Sequence, residues 1–203
     1  LLAIAKFKEP TFREIMTVFV KKMNRAASNK TPEDAKYSLG DFCNDHKLDK
    51  AQFPFELSSA LKLPGRDKIV TGSFGPPKGF DRALMKMQLG KELEDLNRVT
   101  LVFEDPYAMG VAFSALSAKY AVVGCKNKHK QDQQAGGWQQ PPDLHLILDL
   151  ERKGWLVEVQ LLFWDILSIK KEMHKYYNIE RATTPLEILG PLYKVDLGAK
   201  TID

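Results

Sequence analysis

The chain has 203 residues, 44% of them hydrophobic, which suffices for one sizeable core, with or without a helical appendage. Its net charge of +4 tolerates an anionic ligand but lacks the long basic runs of a dedicated nucleic-acid binder. No apolar stretch approaches the roughly 20 residues of a membrane span, and two cysteines make no disulfide framework. We therefore expect a cytoplasmic or other reducing compartment, with neither a membrane nor a disulfide-linked partner. The missing initiator Met predicts a fragment of a longer protein.

The first third of the chain is predicted to be helical and then irregular. Apolar residues at helical spacing predict an amphipathic helix over 11–27, with Thr11 as its N-cap after Pro10. Residues 28–68 are polar and interrupted by Gly and Pro, which favours short helices and loops. At IVTGSFGPPKG, residues 69–79, an apolar pair leads into a Gly- and Pro-rich loop and then into a second helix.

The middle of the chain alternates predicted strands and helices. The β-branched run in RVTLVFED predicts a strand from Val99 to Phe103. Pro106 begins a helix, PYAMGVAFSALSAKY, and AVVGCK follows as a strand in which we expect Cys125 to be buried. The polar insert NKHKQDQQAGGWQQPP, residues 127–142, has the composition of a loop.

Two further runs, LHLILDL and WLVEVQLL, are joined by residues 151–154, whose composition is typical of a hairpin turn. A last helix, FWDILSIKKEMHKYY, precedes a tail after Thr183 that contains two prolines. Strands interleaved with helices, with a hairpin at the end of the sheet, predict an α/β or α+β mixed sheet.

The hairpin predicts a polar patch on one face of that sheet. Alternation places His145, Ile147 and Asp149 opposite the leucines of the first strand. If the turn pairs Leu150 with Trp155, then Ile147 faces Glu158 and His145 faces Gln160. The two carboxylates of this patch, Asp149 and Glu158, can hold a divalent cation or act as a base, with Asp95 as a third oxygen donor. The alternative is an ordinary sheet face in contact with water.

Three cations precede the first predicted strand, Val99 to Phe103. Lys78, Arg82 and Lys86 follow the loop GSFGPPKG, where free backbone amides and a helix N-terminus favour phosphate. The spacing of a Walker A loop is absent, so this inference depends on the side chains. Together with the carboxylates, the cations suggest a polyphosphate with Mg²⁺ between them. The alternative is that they are simply solvated.

Two aromatic residues have open interpretations of the same kind. Trp138, after two glycines in a polar loop, can cap a core edge or stack on a base. His174 lies late in the last helix, where its ring can simply interact with the helix dipole.

The order of these features over residues 65–182 resembles the synthetase domain of the RelA/SpoT family, the nucleotidyltransferase-like transferases that make the alarmone (p)ppGpp. The motifs that carry the resemblance are the basic segment Lys78–Lys86, the strand entry Asp95–Phe103, the strand motif Glu158–Gln160 and the helix with His174, Tyr177 and Arg181. The resemblance implies an α+β fold with a mixed, mainly antiparallel sheet flanked by helices. Residues 1–64 are then an N-terminal helical segment that packs on this domain, and 183–203 a C-terminal tail.

The resemblance also implies roles for single residues. Asp95 and Glu158 would be the catalytic and magnesium-binding acids, with Glu158 alternatively a general base. The ATP-binding cations would be Lys78, Arg82, Lys86 and Arg98, and the acceptor-binding residues Trp138, His145, Gln160 and Lys126. The family's acceptor loop carries a Tyr where direct spacing puts Pro141 here. Trp138 takes its place if residues 139–142 contain an insertion.

Three hypotheses follow for function. The first is an ATP-dependent pyrophosphokinase that uses Mg²⁺ and transfers pyrophosphate to the 3′-hydroxyl of a purine nucleotide, GDP, GTP or a related one. The second, prompted by the altered acceptor loop, is a catalytically inactive nucleotide-binding or regulatory module. The third keeps the enzyme with another acceptor, an adenine nucleotide or an RNA end. A homo-oligomer is compatible with all three.

Overall fold

The structure of the chain is a computed structural model, which describes residues 2–28, 37–75, 88, 96–130 and 142–180. Of residues 2–6, 130, 174, 175 and 177–180, the backbone alone is described. In these ranges the helices are α1 (Leu2–Ala26), α2 (Leu39–His46), α3 (Pro106–Lys119) and α4 (Trp164–Glu180). The strands are β1 (Val70–Phe74), β2 (Arg98–Phe103), β3 (Ala121–Asn127), β4 (Leu144–Asp149) and β5 (Leu156–Phe163). None of the helices described is both long and apolar enough to cross a membrane.

The described strands form one open sheet in the order β1-β2-β5-β4-β3. Only β2 and β5 run parallel, and the other three pairings are antiparallel. The predicted α+β class with a mixed, mainly antiparallel sheet is confirmed. The predicted place of the hairpin is wrong, because β5 is central. Its parallel pairing with β2 puts the β4–β5 hairpin inside the sheet, and β1 and β3 are the edges.

The register of the β4–β5 hairpin agrees with the prediction. His145 pairs with Gln160 and Ile147 with Glu158, and the Leu150 amide donates to the Trp155 carbonyl at 3.1 Å. The turn between them needs a left-handed backbone at Gly154, with φ of 84°, which glycine adopts at no steric cost. One face of both strands is therefore fixed as apolar and the other as polar.

The apolar face of the sheet carries the hydrophobic core. Buried side chains of β2 and β5, such as Leu101 and Val159, lie in one cluster with Phe12 and Met16 of α1 and with Val111 of α3. Helix α3 begins where the Asp105 carboxylate accepts hydrogen bonds from the Tyr107 and Ala108 amides, an N-cap followed by Pro at the first helical position. The helices α1 and α3 thus cover this face.

The first helix begins earlier than predicted. The expectation was a start near Thr11, but α1 begins at Leu2 and contains Pro10. Pro10 removes one backbone hydrogen bond and normally ends or kinks a helix. Here Arg13 and Glu9 form an ion pair of 2.7 Å across the proline, an i,i+4 contact that supports helical backbone on both sides. The short helices expected between 28 and 68 are confirmed by α2 and by 3₁₀ helices at Lys50–Gln52 and Leu57–Ser59.

The two edge strands are where the sequence pattern misleads. Strand β1 was expected to be loop, because Gly72 is a poor strand former and residues 69–79 are rich in Gly and Pro. Cys125 was expected to be buried, yet it is exposed, as are Val122 at 40% and Val123 at 56%. Strand β3 is apolar in composition, but it lies at an edge and bulges between Val122 and Gly124. Apolar composition therefore does not bring burial here.

Candidate functional site

A polar row crosses the other face of the sheet from edge to edge. Side chains of paired residues lie on the same face, and the pairings connect Ser73 to Thr100, Thr100 to Gln160, Gln160 to His145 and His145 to Lys126. The next row toward the hairpin turn contains Arg98, Glu158 and Ile147. Helix α4 lies over part of this face, where Lys170 donates to Gln160 at 2.7 Å.

Asp143 is the centre of a charged cluster at this site. Its side chain is fully buried. Oδ2 lies 2.6 Å from the Lys170 ammonium and 2.8 Å from His145 Nε2. Lys128 approaches Oδ1 at 3.0 Å as an ion pair without a hydrogen bond. One buried carboxylate therefore holds three basic side chains that come from α4, β4 and the 3₁₀ helix after β3.

The environment of Asp143 keeps it ionised. Burial alone raises its pKa, but hydrogen bonds from His145 and Lys170, together with their charges, bring the pKa of Asp143 well below its usual range. A charged carboxylate inside protein is costly unless it is paired and hydrogen-bonded. The three bases meet that requirement and are themselves held in place.

Glu158 is joined to this cluster through Gln160. The Gln160 amide donates to Glu158 Oε1, while its carbonyl oxygen accepts from Lys170 and lies 3.4 Å from the Thr100 hydroxyl. His145 Nδ1 is 3.7 Å from the same Glu158 oxygen. The carboxylate is thus oriented by the Gln160 amide, with the His145 ring nearby, and Glu158 keeps 9% of its surface exposed.

Arg98 lies beside Glu158 on the neighbouring parallel strand. Its side chain crosses Gly75, where a Cβ atom would come within 2.2 Å of Arg98 Nε and 2.8 Å of Cγ. Among the described residues Arg98 has no ion-pair partner. A glycine at position 75 therefore leaves room for the Arg98 guanidinium, which can bind an anion.

Asp149 does not belong to the predicted polar patch. Its carboxylate accepts hydrogen bonds from the backbone amides of Glu151 at 3.3 Å, Lys153 at 3.2 Å and Gly154 at 2.8 Å. Desolvation raises the pKa of Asp149, but the hydrogen bonds from these amides outweigh it and bring the pKa below its usual value. The expected role is wrong because a carboxylate at the end of a strand can bond the backbone of the following turn.

The structure brings together some predicted site residues and leaves others outside the described ranges. Glu158, His145 and Gln160 lie together on the polar face. Arg98 pairs with Glu158 on the neighbouring strand β2, and the exposed Lys126 pairs with His145 on β3. Residues outside the described ranges are Lys78, Arg82, Lys86, Asp95, Trp138 and Arg181. The same holds for the side chains of His174 and Tyr177. Their roles stay predictions.

Three residues of the cluster were missed from the sequence: Asp143, Lys128 and Lys170. The first two carry a weak signal: Asp143, just before β4, precedes His145 by two positions, and Lys128, just after β3, follows Lys126 by two, so continued alternation would put each pair on one side. Lys170 has no such signal, since its contact depends on how α4 lies over the sheet.

A magnesium ion fits the described residues through one carboxylate. Magnesium sites for nucleotides use one or two carboxylates together with substrate phosphates. Glu158 fits, because only one of its oxygens accepts a hydrogen bond within the described ranges. Asp143 does not, because three bases already surround its carboxylate. The described residues contain no group of three His, Cys, Asp or Glu side chains arranged as metal ligands.

Comparison with known proteins gives structural neighbours only. The sequence matches no family model and no curated protein. The fold is similar to that of small alarmone synthetase 1 from Bacillus subtilis bound to its product pppGpp, with a TM-score of 0.42 and 15% identity over 60% of this chain and 67% of that one. A second crystal structure of that synthetase gives a TM-score of 0.41, with 15% identity over 60% of this chain and 68% of the other. Likeness at this level does not decide the chemistry, which the side chains of this chain have to carry.

Proposed function

We propose that the chain is a pyrophosphokinase of RelA/SpoT type, which transfers pyrophosphate from ATP to the 3′-hydroxyl of a purine nucleotide. One observation carries the proposal. Glu158, Gln160 and His145, which the sequence motifs assign to the metal and acceptor sites, lie together on one face of the sheet with Arg98 beside them. A carboxylate next to a cation is what transfer of a phosphorylated group requires.

The proposed reaction uses Glu158 as general base. The acceptor 3′-oxygen attacks the β-phosphorus of ATP, the bond from that phosphorus to the α,β-bridging oxygen breaks, and AMP leaves with the electron pair. The hydroxyl proton moves to Glu158. Gln160 donates to Oε1 and fixes the direction of the carboxylate. Such catalysis is mostly positioning, so the orientation of this group matters as much as its charge.

Charge neutralisation is the second part of the mechanism. Arg98 is proposed to bind the transferred phosphates, and the cations Lys78, Arg82 and Lys86 to bind the rest of the triphosphate. Mg²⁺, when bound, would be held by Asp95 and, in the alternative in which Glu158 is a ligand instead of the base, by Glu158, and it would further stabilise negative charge. Positive groups that already point to the negative charge developing in the transition state lower the activation barrier, because they need not reorient during the reaction.

The acceptor is proposed to lie along the polar row. His145 and Lys126 face the same side on neighbouring strands, and Trp138 is the proposed stacking residue. The contact of His145 Nε2 with Asp143 fixes the ring. Asp143 is thus a positioning residue, because it acts through His145, Lys128 and Lys170.

The test is incubation with γ-labelled ATP, Mg²⁺ and, separately, GDP, GTP, ADP and AMP, followed by chromatography. The proposal predicts label in a new, pyrophosphorylated nucleotide together with stoichiometric AMP. Label appearing only in free phosphate or pyrophosphate with every acceptor would contradict it.

A second candidate is a nucleotide-binding module without turnover. Its support is that Lys128, Lys170 and His145 already have a partner in Asp143, and that Pro141 takes the position of the family's acceptor Tyr. The candidate predicts ATP binding by calorimetry without any labelled product. Absence of all purine nucleotide binding would contradict both candidates.

A further inference from the structure

A groove with three cations lies at the edge of the sheet, between α1 and β1. Its volume is about 310 Å³, at the small end of the range for sites that bind small molecules. The cations are Lys21 of α1 and, just before β1, Arg66 and Lys68. Among the described side chains that line the groove, none carries a carboxylate. We call this the α1–β1 groove.

Within the described ranges, the cations of the groove lack partners of opposite charge. Lys21, Arg66 and Lys68 form no ion pair with any described residue. The nearby carboxylate of Asp67 contacts Lys62 instead, at 2.8 Å. Three like charges around one concave surface raise the local positive potential and attract anions.

One of these cations is already oriented. The Arg66 guanidinium lies over the Trp164 ring at 5.7 Å from its centroid, within the range of a cation–π contact. A guanidinium held by a ring loses little further freedom when it binds a phosphate, and its planar fork suits phosphate oxygens.

The floor of the groove is apolar. Met16 and Val20 of α1 meet Val70 and Val99 of the sheet there. Gly72 leaves space above them, since a Cβ atom at that position would have only ordinary contacts of 3.5 Å with Leu101 and Val20. An apolar floor below a cationic rim suits a ligand with a flat organic body and a phosphate.

The groove is separate from the polar-face site. The side chains that point to α1 come from the core face of β1 and β2, whereas Glu158 and its neighbours lie on the opposite face. We propose that the α1–β1 groove is a second binding site, which takes a phosphate-bearing small molecule of nucleotide size. The phosphate binds to Lys21, Arg66 and Lys68, and the organic body lies on the apolar floor.

The test is an NMR titration of the full chain with AMP and, separately, with inorganic pyrophosphate, read at the backbone amides of Thr17, Lys21, Lys68 and Gly72. We expect AMP to shift these amides and to bind more tightly than pyrophosphate. A variant carrying both Lys21→Gln and Lys68→Gln should weaken AMP binding at least tenfold. Gly72→Val, which fills the floor and suits a strand, should weaken AMP more than pyrophosphate.

Two control variants make the result specific. Lys153→Gln removes a charge in the exposed hairpin turn and should leave binding unchanged. Glu158→Gln should also leave the groove affinity unchanged, even if it abolishes transfer, so failure of one proposal does not imply failure of the other. The groove proposal is overturned if millimolar AMP leaves these amides unshifted, if Lys153→Gln weakens binding as much as the double variant, or if AMP binds no better than pyrophosphate.

Discussion

The two faces of the sheet are stabilised in different ways. On the face toward α1 and α3, buried residues such as Leu101, Val159 and Leu161 form one continuous core. On the face toward α4, the half-buried His145, Lys128 and Lys170 surround the buried carboxylate of Asp143, so each charge depends on its neighbours. Stabilisation by apolar burial adds up over many residues, whereas a buried ion cluster fails when one member is removed. The second face is therefore the more sensitive to single changes.

The largest effect on stability should come from Asp143→Asn. The change keeps the shape but removes the carboxylate that the three surrounding bases share, so we expect a loss of about 3–5 kcal/mol in the free energy of unfolding. Urea denaturation measures it. Asp149→Asn is the matched control, because backbone amides bond that carboxylate at the surface, and its cost should be nearer to 1 kcal/mol. Equal losses for the two variants would contradict the description of the cluster.

Leu101→Ala tests the apolar face by the same measurement. Leu101 is fully buried in β2, and truncation of a buried leucine costs about 2–5 kcal/mol, depending on how far the cavity collapses. The change should leave nucleotide binding on the polar face intact, because its side chain points away from that face. A loss of binding with little loss of stability would mean that the two faces are not separate in function.

Gly75→Ala sharpens the comparison on the polar face alone. The added methyl group would collide with the Arg98 side chain and displace its guanidinium, so we expect about a tenfold loss of transfer rate, the size of a missing contact of roughly 1.4 kcal/mol. Gly110→Ala is the control, because a Cβ atom there meets nothing within 4 Å and alanine favours helix. Comparable kinetics for the two variants would remove Arg98 from the mechanism.

The smallest effects should appear in the pH dependence of stability. Burial lowers the pKa of His46 from its ordinary value of 6.5, and its ring stacks on Phe42 at 4.2 Å. Below about pH 6.5 the imidazole takes up its proton more readily in the unfolded chain than in the folded one. The free energy of unfolding should therefore decrease as the pH is lowered, by at most about 1.4 kcal/mol per pH unit from this group. His46→Phe should remove that slope between pH 6.5 and 5, as measured by urea denaturation.

Asp143 should act in a more acidic range. Its pKa is lower in the folded chain than in the unfolded one, so its contribution is complete above the unfolded value of about 3.9 and is lost as pH falls below it. Asp143→Asn should flatten the stability curve only below about pH 4. If Asp143→Asn instead flattened the stability curve near pH 6, the loss of stability in acid would have to come from another group.

Much of the fold follows from residue patterns, and the parts that do not have physical reasons. Alternation in β4 and β5 fixed the faces and the register, because a slip by one residue would bury Glu158 in the core. Of the two edge strands, β1 escaped detection because its Gly-rich sequence resembles a loop, whereas β3 was predicted as a strand but wrongly expected to be buried. Pro10 hides the start of α1 because proline normally ends or kinks a helix, whereas α1 continues through it.

The part of the candidate site that lies on strands could be predicted from the sequence. His145, Glu158 and Gln160 follow from the alternation of one hairpin, but Lys170 reaches them from a helix packed over the sheet. Such a contact depends on tertiary packing, which spacing along the chain does not encode. The charge balance of the site could therefore not be predicted, although its polar character could.

The most direct test of the proposed chemistry is the transfer rate of Glu158→Gln. The change keeps the side chain's size and removes its ability to accept a proton, so the rate should fall by about 10²–10⁴, while ATP binding measured by calorimetry persists. Glu151→Gln is the control, since that carboxylate only forms a surface ion pair with Lys8 and should leave the rate unchanged. A Glu158→Gln protein that transfers pyrophosphate at the wild-type rate would contradict the assignment of the polar face as the catalytic site.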